Sequence, residues 1–240
     1  MQSVDGLFES DKGCPNFMLS LPNVTLVAVS SVDLNDTLFA LSVSSHSIEF
    51  GDVKFLTSES IVPNNPKVNV ELIPRLDFLG YSKFILQDLC RYVQTTHCLV
   101  IQADGFVLNP DRWQPKFLEY DYIGAPWPEK LTLHPTQQIL DMKQNQVGNG
   151  GFSLRSKKLL EETAKIDFDA LTFPSFSEDL VICHFMLGQM LNAGIRFPTP
   201  ELAAQFSVES LDAAFGQSPN TSFGFHGKGT RDEIFRALAK

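Results

Sequence analysis

With 240 residues, 43% of them hydrophobic and 20% charged, the chain has the make-up of one globular unit that can bury a core of its own. No run of eighteen apolar residues is present, so no membrane-spanning helix is expected. Nineteen Lys and Arg against 28 Asp and Glu leave a net charge of −9, which repels a phosphate polymer and argues against nucleic acid as a partner. A small anionic substrate would need a local device, either a metal ion or a few placed cations.

The chain opens on a polar leader, residues 1–22, whose first six residues have neither a basic nor an apolar segment of the kind that directs secretion. The expected address is therefore cytoplasmic. Cys14, Cys90, Cys98 and Cys183 are dispersed, with no C-x-x-C pair, and read as reduced thiols. Val24–Val29 is a nearly continuous apolar run, the pattern of a buried parallel strand. Leu34, Leu38, Leu41 and Ser45 then recur at helical spacing, and Val53–Leu56 gives a second strand, so the opening reads as a βαβ unit. Ser82 is the expected cap of a helix carrying Phe84, Ile85, Leu89 and Val93, followed by the strand Cys98–Ile101. Between Tyr120 and Gln146, Pro126, Pro128 and Pro135 predict an irregular, substrate-facing loop. Ser156 caps a helix with Leu159, Leu160 and Ala164, and Ser177 caps another that runs to about Asn192 and stops at Gly194. Thr230 and Glu233 form the capping box of a terminal helix.

Open α/β sheets bind ligands beyond the carboxyl ends of their strands, which makes Asp104, directly after Cys98–Ile101, the first candidate for chemistry. Asp104-Gly105 is equally a common turn dipeptide. Glu178-Asp179 opens a helix, where the dipole favours carboxylates on propensity alone, but an irregular segment precedes it and would aim a carboxylate into a cleft as a general base requires. His226 lies in Phe223-Gly224-Phe225-His226-Gly227-Lys228-Gly229, too rich in glycine for a helix or ordinary strand; it offers a metal-ligating nitrogen and Lys228 a phosphate-binding charge. Gly148-Asn149-Gly150-Gly151 lacks both the dinucleotide fingerprint and the P-loop ending. Neither a serine-hydrolase elbow nor a zincin pair appears.

Taken in order, Gln102-Ala103-Asp104-Gly105-Phe106, Glu119 to Trp127, Val147 to Arg155, Ser177-Glu178-Asp179 and Phe223 to Gly227 resemble a little-characterised family of glycosyltransferase-like domains, and more distantly the GT-A nucleotide-sugar glycosyltransferases. The resemblance implies a Rossmann-like α/β fold in one domain over residues 23–240, with a mixed, mostly parallel sheet flanked by helices. Its nucleotide-binding half would cover about 23–110 and its acceptor-binding half about 111–229. It implies a metal-dependent transferase that moves a sugar from a nucleoside-diphosphate sugar to an acceptor hydroxyl. The acceptor class stays open among a glycan, a lipid-linked sugar, a protein and a modified nucleic acid.

Gln102-Ala103-Asp104 aligns with the D-x-D motif of those enzymes, with Gln102 in place of the first acid, so Asp104 and His226 would hold Mn²⁺ or Mg²⁺. The resemblance further implies donor contacts from Ser30, Gln102, Ala103, Gly105 and Lys228, and sugar or acceptor contacts from Asp121, Trp127, Asn149, Gly150 and Gly151. Asp179 would deprotonate the acceptor with inversion, and Glu178 would orient the sugars. The competing readings are a non-catalytic nucleotide-sugar or glycan-binding domain, motivated by Gln102, and a sugar-phosphate nucleotidyltransferase, disfavoured because no Gly- and Arg/Lys-rich loop follows Val29.

Overall fold

A computed structural model describes residues 18–209 and 215–238; the leader up to residue 17, including Cys14, lies outside the described residues. Six strands make the central sheet: β1 (Leu19–Val29), β2 (Ile48–Thr57), β3 (Asn69–Leu72), β4 (His97–Ile101), β5 (Tyr122–Ile123) and β8 (Phe152–Ser156), in the order β3-β2-β1-β4-β8-β5. β1 pairs in parallel with β2 and β4, and β2 in parallel with β3. β8 alone runs antiparallel, against both β4 and β5. The sheet is thus mixed and mostly parallel, as expected.

Strict alternation along β1 and β4 explains why their sequences are apolar throughout. Leu26, Ala28, Leu99 and Ile101 enter one core, together with Ala40 and Leu41 of α1 (Leu34–Ser44). Val27, Val29, Cys98 and Val100 enter a second core with Phe84 and Ile85 of α2 (Phe78–Gln87) and Leu160 of α3 (Lys157–Thr163). A strand covered on both faces has no polar side to show. Each fully buried aliphatic side chain contributes roughly 1.5–3 kcal/mol of transfer free energy.

Several expected boundaries move. β1 begins at Leu19, inside the expected leader, and β2 is longer than Val53–Leu56. The helix assigned to Ser82 starts earlier, because the Asp77 carboxylate accepts from the Gly80 amide at 2.7 Å; Ser82 is buried within α2. That helix also ends earlier, and Leu89 sits in a separate 3₁₀ turn, Leu89–Arg91. Ser156 does cap α3, accepting from Leu159. The segment 120–146 is not a plain loop: it holds β5 and a hairpin of β6 (Lys130–Thr132) and β7 (Ile139–Asp141), anchored by buried Leu133, Leu140 and Met142.

The helix expected from Ser177 to Asn192 is divided into α4 (Glu178–Leu180), a π-helical segment Val181–Phe185, and α5 (Leu187–Asn192), and it ends at Gly194 with φ +73°. Ser177 precedes α4 but its hydroxyl does not cap it. α6 (Pro200–Phe206) leads into β9 (Ser207–Val208), which pairs in parallel with β10 (Gly224–Phe225). α7 (Lys228–Leu238) starts two residues before Thr230. Gly227, at φ +103°, supplies the carbonyl that accepts from Arg231, while the Thr230 hydroxyl donates to the Glu209 carbonyl; the expected capping box therefore does not form.

Candidate functional site

The antiparallel strand creates the site. Ile101 of β4 pairs with Phe152 of β8, so the residues that follow one and precede the other leave the sheet at the same edge. Gln102–Asp104 and Asn149–Gly151 therefore line a single cavity of about 580 Å³, closed by the β1–α1 turn at Ser30–Asp33, the start of α2, Ser177–Asp179, Glu209, His226 and Lys228. This is the carboxyl-terminal edge of the parallel strands, where α/β folds place ligands.

One cluster in this cavity is built around His226. β9 and β10 deliver it: the His226 amide donates to the Val208 carbonyl at 2.9 Å, and the Gly227 amide donates to the Asp104 carbonyl at 3.1 Å. Its Nε2 stands 3.3 Å from Asp104 Oδ1 and 3.1 Å from Gln102 Oε1, and its Nδ1 stands 3.3 Å from Glu209 Oε1. The Gln102 amide in turn donates to the Tyr81 hydroxyl at 2.9 Å. Burial works against a charged imidazole here, but the hydrogen bonds and charges of Asp104 and Glu209 outweigh it and lift His226 to about 10. Burial likewise opposes ionisation of Asp104, and His226 with Lys228 more than compensates, holding this carboxyl below its usual range.

The second cluster is built around Asp179. Its Oδ2 accepts from the Gly150 amide at 2.9 Å and its Oδ1 from the Leu180 amide at 2.7 Å. Burial, then the neighbouring charge of Glu178, push it up to about 7 despite those two amides. Glu178 is tied down: its Oε1 accepts from Arg155 Nη2 at 2.9 Å, with side-chain exposures of 7% and 0%. Arg155 thus pairs with Glu178, and Asp179 is held by backbone amides instead. The π-helical segment follows immediately, a distortion that recurs near functional sites.

Of the residues singled out in the sequence, Ser30, Gln102, Ala103, Asp104, Trp127, Asn149, Gly150, Gly151, Glu178, Asp179, His226 and Lys228 all line the cavity. Trp127 is the one contribution from the segment 120–146, with its ring lying over Gly148. Gly150 and Gly151 are needed by the protein itself, since a Cβ would overlap the Glu178 carboxylate at the first and the His226 ring at the second. Gly105 does not line the cavity; a Cβ there would come within 2.7 Å of the Phe225 carbonyl oxygen.

Asp121 is not on the cavity. Its buried carboxylate accepts from the Ser156 hydroxyl at 2.7 Å and the Arg196 amide at 2.8 Å, joining α3 to the turn after α5. The sequence reading passed over Tyr81, Arg155, Glu209, Asp33 and Asp77. Of these, Arg155 alternates with Ser153 as the polar side of a solvent-facing strand would, so its burial had no local signal.

Fold and site together define the class: an α/β domain with carboxylates and an imidazole gathered at the strand ends. Residues 74–226 match the family described as "Protein of unknown function (DUF5672)", and the chain belongs to that family. No curated protein matches by sequence. Among solved structures, the chain is similar to a glycosyltransferase involved in the glycosylation of the major capsid of PBCV-1, at 14% identity and a TM-score of 0.49, over 90% of this chain and 98% of that one. It is also similar to the bifunctional IspDF from Campylobacter jejuni, at 10% identity and a TM-score of 0.43, over 66% of this chain and 47% of that one. Among the described residues no helix is long and apolar enough to cross a membrane.

Proposed function

We propose that this protein is a divalent-metal-dependent glycosyltransferase that moves a sugar from a nucleoside-diphosphate sugar to an acceptor hydroxyl, with inversion and with Asp179 as base. The observation that carries this reading is the meeting of two unlike carboxylates, Asp104 beside His226 and Asp179 beside Gly150, in one cavity at the sheet edge. Among the described residues, six carboxylates line that cavity, Asp33, Asp77, Asp104, Glu178, Asp179 and Glu209, against Lys228 and His226. A diphosphate entering such a field needs a cation to accompany it.

The residues present fit Mg²⁺ or Mn²⁺. Asp104 Oδ1 and His226 Nε2 are neighbours, Glu209 stands on the other ring nitrogen as the carboxylate partner that metal-bound imidazoles use, and the missing side chain of Gly151 keeps space at Nε2; the ion would take the place of the Nε2 proton that the imidazolium carries without it. Among the described residues no cluster of three His, Cys, Asp or Glu side chains is placed to hold a metal, so diphosphate oxygens and water would complete the shell, as is usual for these hard ions. When bound, the ion would offset the negative charge that develops on the leaving diphosphate. Lys228 adds a fixed positive charge at the cavity wall. Asp179, its lone pairs directed by two amides, takes the acceptor proton, and Trp127 presents a ring face for a sugar.

A thermal-shift panel of nucleoside diphosphates and nucleotide sugars, with and without Mn²⁺, tests this reading, because a ligand selective for the folded state raises its apparent stability. A metal-dependent shift with one nucleotide, followed by slow hydrolysis of its sugar donor, is expected. The absence of any shift would overturn it, and binding without turnover would favour a non-catalytic sugar-nucleotide receptor, which the Gln102 to Tyr81 hydrogen bond also suits.

A further inference from the structure

We infer that Arg155 is the positioning residue of this site: its buried guanidinium holds the Glu178 carboxylate and the Gly150 carbonyl, and so fixes the Gly150 amide that presents Asp179 to the cavity. This rests on reading Asp179 as the base. The contacts form a closed circuit. Arg155 Nη2 reaches Glu178 Oε1 at 2.9 Å and the Gly150 carbonyl at 3.4 Å, Arg155 Nε donates to the Ser153 hydroxyl at 3.0 Å, and that hydroxyl donates to the same Gly150 carbonyl at 2.9 Å. The Gly150 amide, on the preceding peptide plane, donates to Asp179.

A guanidinium suits this task because its planar fork serves two acceptors in fixed geometry, whereas an ammonium is a point charge. It lies 5.3 Å from the centre of the Tyr122 ring, and among the described residues its Nη1 has no hydrogen-bond partner. An uncompensated buried donor costs stability. Stability alone therefore gives little reason for an arginine here, since an apolar side chain of similar volume in place of a buried ion pair is often neutral or stabilising. The charged and titratable groups that act on Asp179 come from several elements: Glu178 beside it, Cys183 of the π-helical segment, Tyr122 of β5, Tyr81 of α2, and Glu209 after β9.

The test needs no substrate, so its outcome is separable from that of the nucleotide panel. Full-length protein carrying ¹⁵N and Asp-selective ¹³C labels is compared as wild type, R155K and E178Q, reading exchange of the Gly150 amide and titration of the Asp179 carboxyl by NMR. In R155K, Gly150 exchange is expected to rise about tenfold or more, the scale of one lost hydrogen bond, while Cys98–Ile101 in β4 keeps its protection. E178Q keeps the contact to Arg155 and should leave Gly150 protected, but the Asp179 titration should fall toward the ordinary carboxylate range once the like charge is gone. Unchanged Gly150 exchange in folded R155K would overturn the inference. If R155K does not fold, E178A takes its place: faster Gly150 exchange in E178A than in E178Q supports the inference, and identical exchange in the two overturns it.

Discussion

Asp104 and Asp179 are the same side chain in the same cavity, and their surroundings drive them in opposite directions. Asp104 leaves β4 beside an imidazole and within reach of Lys228, and it is held below the usual carboxylate range although burial opposes this. Asp179 faces Glu178 and lacks such a cation of its own, because Arg155 is spent on Glu178 and Gly150; it rises to about 7. Asp104 is held as a negative charge, whereas Asp179 keeps its proton up to about 7. Identity of side chain does not set the protonation here; the charges placed beside each carboxyl do.

The largest consequence of that contrast concerns turnover. Asp179→Asn should lower sugar transfer or donor hydrolysis by roughly 10²–10⁴-fold, the range typical of a general base, while nucleotide binding measured by calorimetry stays close to wild type. Equal losses in binding and turnover would erase the distinction between the two carboxylates. The mirror experiment is Asp104→Ala, which should abolish the Mn²⁺-dependent part of the nucleotide thermal shift; at a hundredfold excess over Kd that part amounts to about 2.7 kcal/mol. A shift that survives would remove Asp104 from the metal.

A smaller effect sharpens the comparison through pH. A carboxyl that keeps its proton up to about 7 in the folded chain, against about 3.9 in the unfolded one, makes the folded state lose stability as pH rises from about 4 to 7. Denaturant titrations should therefore find Asp179→Asn more stable than wild type by about 1–3 kcal/mol at pH 8, with the difference vanishing near pH 4. With Asp179 as the proposed base, the same ionisation should make wild-type turnover rise with pH through about 7. The smallest effect belongs to a carboxylate outside the cavity: Asp121→Asn should cost about 1 kcal/mol of stability through the weakened contacts to Ser156 and Arg196, with the nucleotide shift unchanged.

Much of this was written in the sequence, and the rest was hidden for identifiable reasons. β1 and β4 declare themselves because strands covered on both faces are apolar at every position. Asp104, Asp179 and His226 stood out through an ordered set of motifs, not through local propensity, which explains an Asp-Gly turn or an acidic helix start equally well. Ser153 and Arg155 share one face of β8, and a polar pair at period two ordinarily marks a solvent-facing side. Both are fully buried, Arg155 against Tyr122 of β5 and Glu178 of α4, and this placement is a matter of topology that no local pattern carries. Glu209 reaches His226 across 17 residues by way of the β9–β10 pairing, again a long-range event. Ser82 was an acceptable cap on residue type alone, but Asp77, which was not singled out, caps α2, and Ser82 is buried within it.

The excursion from Gln102 to Gly151 departs from and returns to one edge of the sheet, and its exposed tip, residues 134–139 between β6 and β7, lies far along the chain from both ends. Lengthening a surface loop is cheap, about 0.6 kcal/mol for each doubling. Chain length at that tip is therefore nearly independent of the geometry at the cavity, which makes the β6–β7 turn a place where a recognition peptide, a fluorophore site or a whole domain can be spliced in without disturbing the carboxylates.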